Sequence, residues 1–275
     1  MAGSQFCTTW SEIMANSYVE ERFGLKGKVA VVIGGSGVLG GSVAESLAKA
    51  GARIAIVYNH GKEAAEQRVK AIQSAGGEAL AVQADGRVKS DLEKAKDVIV
   101  AKWKEVDILV NAPGVNSTTP VLDIQEEEWD KIISVNLKGM FLACQVFGKH
   151  MIDSKVRGSI VNFSSVSSEI PLSKVFTYAI SKAGVNNMTR FLAREWAQYG
   201  IRVNAVVPGF FPAEQNRKIL TEERRKSIFG HTPMARYGEA EELNGAFIWL
   251  ASNKASSFVT GTIIPVDGGF TAMTI

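Results

Sequence analysis

Between residues 28 and 270 short apolar runs alternate with longer stretches of helical periodicity. VAVVIG (29–34) is continuously apolar and rich in valine, as a strand buried on both faces would be. VLGGSVAESLAKAG (38–51) has helical spacing and closes on Gly51 as a C-terminal glycine. The alternation continues with strands at 53–58, 78–85 and 106–112 and helices at 61–77 and 89–103. A long helix is predicted over 126–152, a strand at 158–165 that ends in polar residues, a helix over 175–200 and a strand at 201–209. Charge follows at 221–227, then a helix at 239–252 and a last strand within 260–269. Near-continuous Val/Ile runs joined by helical crossovers predict parallel strands. No repeat and no Pro/Gly/Ser-rich linker interrupts them. The expectation is a single α/β domain, residues 25–275, with a doubly wound parallel sheet of about seven strands. Residues 1–24 precede the first strand signal and read as an N-terminal extension.

Composition narrows the function. The chain has 275 residues, 46% hydrophobic and 21% charged, which suits a sizeable core and excludes wholesale disorder. A net charge of +3, scattered along the chain, is no nucleic-acid footprint. Cys7 and Cys144 are too few and too far apart for a disulfide framework or a cysteine zinc site. His60, His150 and His231 have no metal-ligand spacing, so no metal is expected. No run of 18 apolar residues is present, and the N-terminus lacks the basic-then-apolar pattern of a secretory signal. The expectation is a cytoplasmic protein without a membrane partner.

The first strand runs into Gly34, Gly35, Ser36, Gly37, Val38, Leu39 and Gly40, and Gly35, Gly37 and Gly40 fit G-x-G-x-x-G. Between a strand and a helix this pattern lets a pyrophosphate approach the helix N-terminus, where amides and dipole favour an anion. A tight turn without a ligand would use the same glycines. The placement favours a Rossmann-type dinucleotide site. An NAD site usually has a carboxylate at the end of the second strand to hold the ribose 2′-hydroxyl. Here that end reads Tyr58, Asn59, His60, with no acid. A 2′-phosphate would meet no repulsion, and Ser36, Asn59, His60 or Lys62 could hold it. NADP is favoured over NAD.

Tyr178 and Lys182 are four apart on a predicted helix and share a face. A nearby ammonium lowers a phenol's pKa, which suits proton exchange near neutral pH. The spacing alone is weak, since Tyr58 and Lys62 share it. Around the later pair, Ser165 ends a predicted parallel strand, where α/β sheets place ligands, whereas the equivalent residue before Tyr58 is Glu45, within a helix.

Residues 25–270 resemble the short-chain dehydrogenase/reductase superfamily through LKGKVAVVIGGSGVLGG, VDILVNAPG, ISVNLKGMF, GSIVNFSSVSS, YAISKAG, IRVNAVVPGFF and FVTGTIIPVDGGF, in family order. The resemblance implies that Ser165 hydrogen-bonds the substrate oxygen and Tyr178 transfers the proton. It implies that Lys182 lowers the tyrosine pKa and holds the nicotinamide ribose, with Asn136 supporting a water relay to that lysine. Asp85 would meet the adenine amino group. Asn111, Ala112, Pro113 and Gly114 would line the cofactor, and Pro208 and Gly209 would begin the loop beside the nicotinamide. Two places depart from the family pattern. Val38 stands where a glycine is usual, and Asn111-Ala112-Pro113-Gly114 replaces Asn-Asn-Ala-Gly. Many NADP-using members also carry an arginine or lysine in the glycine turn, which this chain lacks.

The loop GFFPAEQNRKIL offers Gln215, Asn216, Arg217 and Lys218 as donors to hydroxyls or a carboxylate; a solvated helix face would look the same. Together with PLSKVFTYAISKAG and HTPMARY, it resembles the branch of mannonate oxidoreductases (fructuronate reductases) and related sugar-acid and polyol dehydrogenases. The expected small-molecule substrate is therefore a sugar acid, ketose or polyol. The alternatives are a β-ketoacyl (carrier protein or CoA) reductase and, in another class, a non-catalytic dinucleotide sensor or scaffold. The resemblance also implies a homo-oligomer, tetramer or dimer, with helix 132–147 and the GTIIPVDGGF segment as candidate contacts.

Overall fold

The computed structural model describes residues 18–212 and 221–273. Seven parallel strands form one sheet in the order β3-β2-β1-β4-β5-β6-β7. They are β1 Val29–Ile33, β2 Arg53–Tyr58, β3 Ala79–Gln83, β4 Ile108–Asn111, β5 Ser159–Phe163, β6 Arg202–Pro208 and β7 Ile263–Val266. The described α-helices are α1 Val38–Lys49, α2 Lys62–Ser74, α3 Lys89–Trp103, α4 Glu126–Ile133, α5 Gly139–Asp153, α6 Phe176–Trp196, α7 Glu222–Gly230 and α8 Asn244–Ala251.

Alternate strand residues point to opposite faces, and each face packs its own helix layer. Val32, Ile54, Ile56, Val161 and Phe163 cluster with Val43 and Leu47 of α1 and Phe247 and Leu250 of α8. Val31, Ile33, Val57, Leu109 and Ile160 cluster with Leu92 and Ile99 of α3 and Phe147 and Met151 of α5. Each such side chain, removed from water, contributes roughly 1.5–3 kcal/mol before entropy is counted.

Three departures from the expected elements have local causes. The 126–152 segment is broken by a π-helical turn at Ser134–Lys138, which inserts Asn136 into the buried interior. The predicted helix over 239–252 begins instead as a 3₁₀ turn, Ala240–Leu243, held by a reciprocal Glu239–Glu242 capping box. The charged 221–227 stretch opens α7, with Thr221 as its N-cap.

The sheet reverses its winding between β1 and β4, where Ile33 pairs with Val57 on one side and Asn111 on the other. That reversal opens a crevice at the carboxyl ends of the strands. Gly34 ends β1 with φ +77°, and a Cβ there would lie 3.0 Å from the Ala112 backbone. A Cβ on Gly40 would lie 2.7 Å from the Gly34 carbonyl oxygen and 3.0 Å from Ala112 Cβ. The strictest demand for glycine thus falls on Gly34 and Gly40. Gly37 has an ordinary φ of −71° and serves as the N-cap of α1. Gly40→Ala is expected to destabilise the fold by about 1–3 kcal/mol, because backbone must move to admit the methyl group. Thermal unfolding of Gly40→Ala beside Gly37→Ala measures this, with the smaller loss expected at Gly37.

Candidate active site

The carboxyl ends of β4, β5 and β6 bring the candidate residues together. Ser164 and Ser165 follow β5 directly. The buried Ser164 hydroxyl turns inward toward the Lys182 carbonyl, 3.4 Å away. Ser165 faces the other way and caps a 3₁₀ turn, Val166–Ser168, by accepting the Ser167 amide. Its hydroxyl lies close enough to the Tyr178 phenol to favour the phenol's ionised form. Of the two serines, Ser165 is the one at the phenol.

Tyr178 and Lys182 occupy successive turns of α6. The Lys182 ammonium is buried, 5.6 Å from the centre of the Tyr178 ring, and donates to the Phe163 carbonyl at 2.9 Å. Burial pulls its pKa down to about 7. The Tyr178 phenol is pushed above its ordinary value by burial, with the Ser165 hydrogen bond opposing that rise. Lys182 gives one hydrogen bond to a backbone carbonyl, and the serine opposes the rise of the phenol's pKa.

Asn136 sits close by without touching the lysine. Its Oδ1 accepts the Val115 amide at 2.8 Å, and its Nδ2 donates to the Val115 carbonyl at 2.9 Å and to Ser181 Oγ at 3.1 Å. The side chain therefore holds the 111–115 turn against α6. That turn passes near the catalytic lysine candidate: a Cβ on Gly114 would lie 3.9 Å from Lys182 Nζ. Asn111 is buried, donating to Asn162 Oδ1 and Cys144 Sγ, so it braces the sheet below the crevice. Burial pushes the Cys144 thiol up to about 12, which makes it a poor nucleophile. Gly209 abuts Asp267, where a Cβ would lie 2.7 Å from the Asp267 Cα, so the strand β6 loop runs tightly over the end of β7.

At the far end of the crevice, Ser36 Oγ donates to the His60 carbonyl at 3.2 Å. Tyr58 is buried at the end of β2, and Asn59 lies near enough to Asp85 to favour its ionised form. Arg87 also grips Asp85 and holds its carboxylate below the usual range. Gly61, left-handed at φ +79°, begins α2 beside Ser36.

Four residues escaped the sequence reading. Arg68 of α2 reaches back to the Gly37 carbonyl at 3.1 Å, and Arg87 engages Asp85. Ser167 and Ser181 support Ser165 and Asn136. The SSVSS run signals the first of these serines; no local pattern signals the long reach of Arg68. Gln215, Asn216, Arg217 and Lys218 lie outside the described residues. No cluster of acidic, histidine or cysteine side chains able to hold a metal exists among the described residues, and no described helix is long and apolar enough to cross a membrane.

The residues present fit a nicotinamide dinucleotide. α1 starts at Gly37 with no side chain capping its amides, below glycines that a Cβ would fill. At the other end Lys182 uses one of its three donors on Phe163, and its ammonium lies beside the 111–115 turn.

Residues 36–271 match a family described as enoyl-(acyl carrier protein) reductase. The chain belongs to the short-chain dehydrogenase/reductase superfamily and is an oxidoreductase of that class. It is 40% identical over 269 residues to the uncharacterized oxidoreductase UxuB of Bacillus subtilis, covering 90% of this chain and 96% of that one. It is 40% identical over 248 residues to 3β-hydroxysteroid dehydrogenase 1 of Eggerthella lenta, covering 90% and 95%. A gluconate 5-dehydrogenase from Burkholderia cenocepacia, solved with NADP and tartrate, superposes with a TM-score of 0.88 at 33% identity, over 93% of this chain and 100% of that one.

The depressed Lys182 pKa has a signed consequence. The folded state releases this proton near pH 7, whereas the unfolded chain keeps it until about 10.5. Between these values the unfolded state binds more protons, so stability rises with pH, at a slope approaching ~1.4 kcal/mol per pH unit. Urea unfolding from pH 7 to 9 is expected to show this rise relative to Lys182→Met, which removes the titrating group.

Proposed function

We propose that this protein is an NADP-preferring dehydrogenase/reductase that moves a hydride between nicotinamide and the secondary alcohol or ketone of a polyhydroxylated substrate. Sugar acids, ketoses and polyols are the substrate class. The observation that carries this reading is the meeting of Ser165, Tyr178 and Lys182 at the end of β5, beside the 111–115 turn. When bound, the nicotinamide supplies or accepts the hydride. In the reducing direction Ser165 donates a hydrogen bond to the substrate carbonyl oxygen, and Tyr178 gives that oxygen its proton as the carbon gains the hydride. In the oxidising direction Tyr178 receives the hydroxyl proton. Lys182, poised near neutrality by burial, holds the nicotinamide ribose and passes a proton to or from the phenol. Asn136 keeps the 111–115 turn in register with these groups.

NADP is favoured over NAD by the second-strand end. Tyr58, Asn59 and His60 bring no acid against a 2′-phosphate, and Ser36 faces the uncapped N-terminus of α2 at Gly61. Asp85 closes the adenine side and Pro208–Gly209 the nicotinamide side. The polyhydroxylated class is supported by the polar rim Asn116–Thr119 and by the gluconate 5-dehydrogenase similarity. The hydroxysteroid dehydrogenase similarity supports a second reading, an apolar secondary alcohol. Exposed Phe141 on α5 and Phe258 before β7 support a homo-oligomer of tetramer or dimer size.

Turnover with sugar acids, ketoses, polyols, a 3β-hydroxysteroid and a β-ketoacyl thioester, each with both cofactors, tests the substrate class. Tyr178→Phe is expected to lower kcat at least ~100-fold while leaving dinucleotide affinity within about twofold. Cofactor binding without any turnover by the unmutated protein would instead mark a sensor or scaffold. Asn59→Asp is expected to shift preference from NADPH toward NADH by about tenfold or more, since a carboxylate there repels a 2′-phosphate. The ratio of kcat/KM values for the two cofactors reads this directly.

A further inference from the structure

The hydrogen-bonding capacity of the Ser165 hydroxyl can be counted. A serine hydroxyl gives one proton and receives through two lone pairs. The Ser167 amide fills one lone pair at 3.2 Å. The Ser167 hydroxyl lies 3.0 Å from the same oxygen, and the Tyr178 phenol is its third neighbour. Two hydroxyls therefore share one remaining lone pair and one proton.

The Ser167 side chain is buried, at 5% exposure, and Ser165 Oγ is its one hydrogen-bond partner among the described residues. When Ser167 donates, both lone pairs of Ser165 are filled. Its own proton then points to the Tyr178 oxygen or to a substrate oxygen. With the Ser167 hydroxyl gone, Ser165 is free to accept from Tyr178 and would hold the phenol in its protonated form.

We propose that Ser167 is a positioning residue whose amide and hydroxyl together make Ser165 an obligate donor toward Tyr178 and the substrate oxygen. The proposal rests on the reading of Ser165 and Tyr178 as the reacting pair. Donation stabilises a phenolate ready to receive the alcohol proton. In the opposite direction it polarises the carbonyl that the phenol protonates.

The turn itself is anchored without the Ser167 hydroxyl. Ser168 Oγ donates to the Ser165 carbonyl at 2.6 Å, and Asn186 of α6 donates to Ser168 Oγ at 2.9 Å. Removing the Ser167 hydroxyl therefore deletes a proton donor and leaves the turn tied to α6.

Other titratable groups near the phenol are few. Lys182 is the one against its ring. The π-helical turn carries Lys138, the 3₁₀ turn is followed by Glu169, and β6 carries Arg202 at its opposite end. α4 carries Glu126, Glu127, Asp130 and Lys131 besides Glu128, whose carboxylate is held by Ser117 and Thr119.

The experiment compares the unmutated protein with Ser167→Ala and Ser167→Thr by kinetics, thermal unfolding and ultraviolet tyrosinate titration, with Tyr178→Phe as the spectral blank. Ser167→Ala is expected to lower kcat about 3–10-fold with KM and dinucleotide affinity unchanged. It is also expected to move the Tyr178 titration to higher pH, and Ser167→Thr should restore both. An unchanged kcat and titration in Ser167→Ala would overturn the proposal. A loss tracking a lowered unfolding midpoint, and not restored by threonine, would overturn it in favour of packing. If the unmutated protein turns over no alcohol or carbonyl, the functional reading falls, and the tyrosinate titration alone still decides the role of Ser167.

Discussion

The hydrogen bond from Lys182 to the Phe163 carbonyl fixes the geometry on which the rest of the site depends. It clamps α6 onto the end of β5, so that residues one turn back on the helix and two residues on from the strand must meet. Tyr178 and Ser165 are those residues. The lysine is long enough to cross from helix to sheet, and only a buried carbonyl makes the crossing tolerable for an ammonium stripped of water. The same burial depresses its pKa toward neutrality.

The frame beneath is equally polar and equally buried. Asn111, Asn162 and Thr189 form a chain of hydrogen bonds from β4 through β5 to α6. Such a chain specifies register where apolar packing alone would tolerate sliding, because each misplaced amide would lose its partner in a low-dielectric interior. Asn136 does the same for the 111–115 turn from the other side, and its π-helical turn is what turns the side chain inward. The polar groups of the crevice are thus held by other polar groups, while the two apolar layers supply the bulk of the stabilisation.

Much of this was legible in the chain. The apolar runs predicted all seven strands, since strands covered by helices on both faces are mostly apolar. The breaks were less legible. The π-helical turn leaves the apolar spacing of 126–152 almost intact, so periodicity could not separate α4 from α5. The glycine run suggested a phosphate turn, yet it did not show that Gly34 and Gly40 carry the steric demand, which arises in part from Ala112, more than seventy residues away in the chain. Ser165, Tyr178 and Lys182 stood out by spacing and strand position. Their electrostatics did not, because a depressed lysine and a raised phenol are properties of burial. Arg68 and Arg87 were invisible because exposed helix and loop arginines usually face solvent.

The two ends of the crevice solve opposite electrostatic problems with different means. Where phosphates would lie, charge is met by backbone. α1 and α2 have glycine at the N-cap, Gly37 and Gly61, and neither has a side chain capping its first amides. Backbone amides cannot titrate, so this end keeps its preference for anions at any pH. Where the reaction would occur, charge is met by side chains whose protons move, Lys182 and Tyr178, enclosed so that their pKa values respond to burial and to a single serine. The sheet reversal between β1 and β4 joins the two. It places the backbone amides at one part of the crevice and the titrating side chains at another, a division of labour that hydride transfer with proton exchange would use.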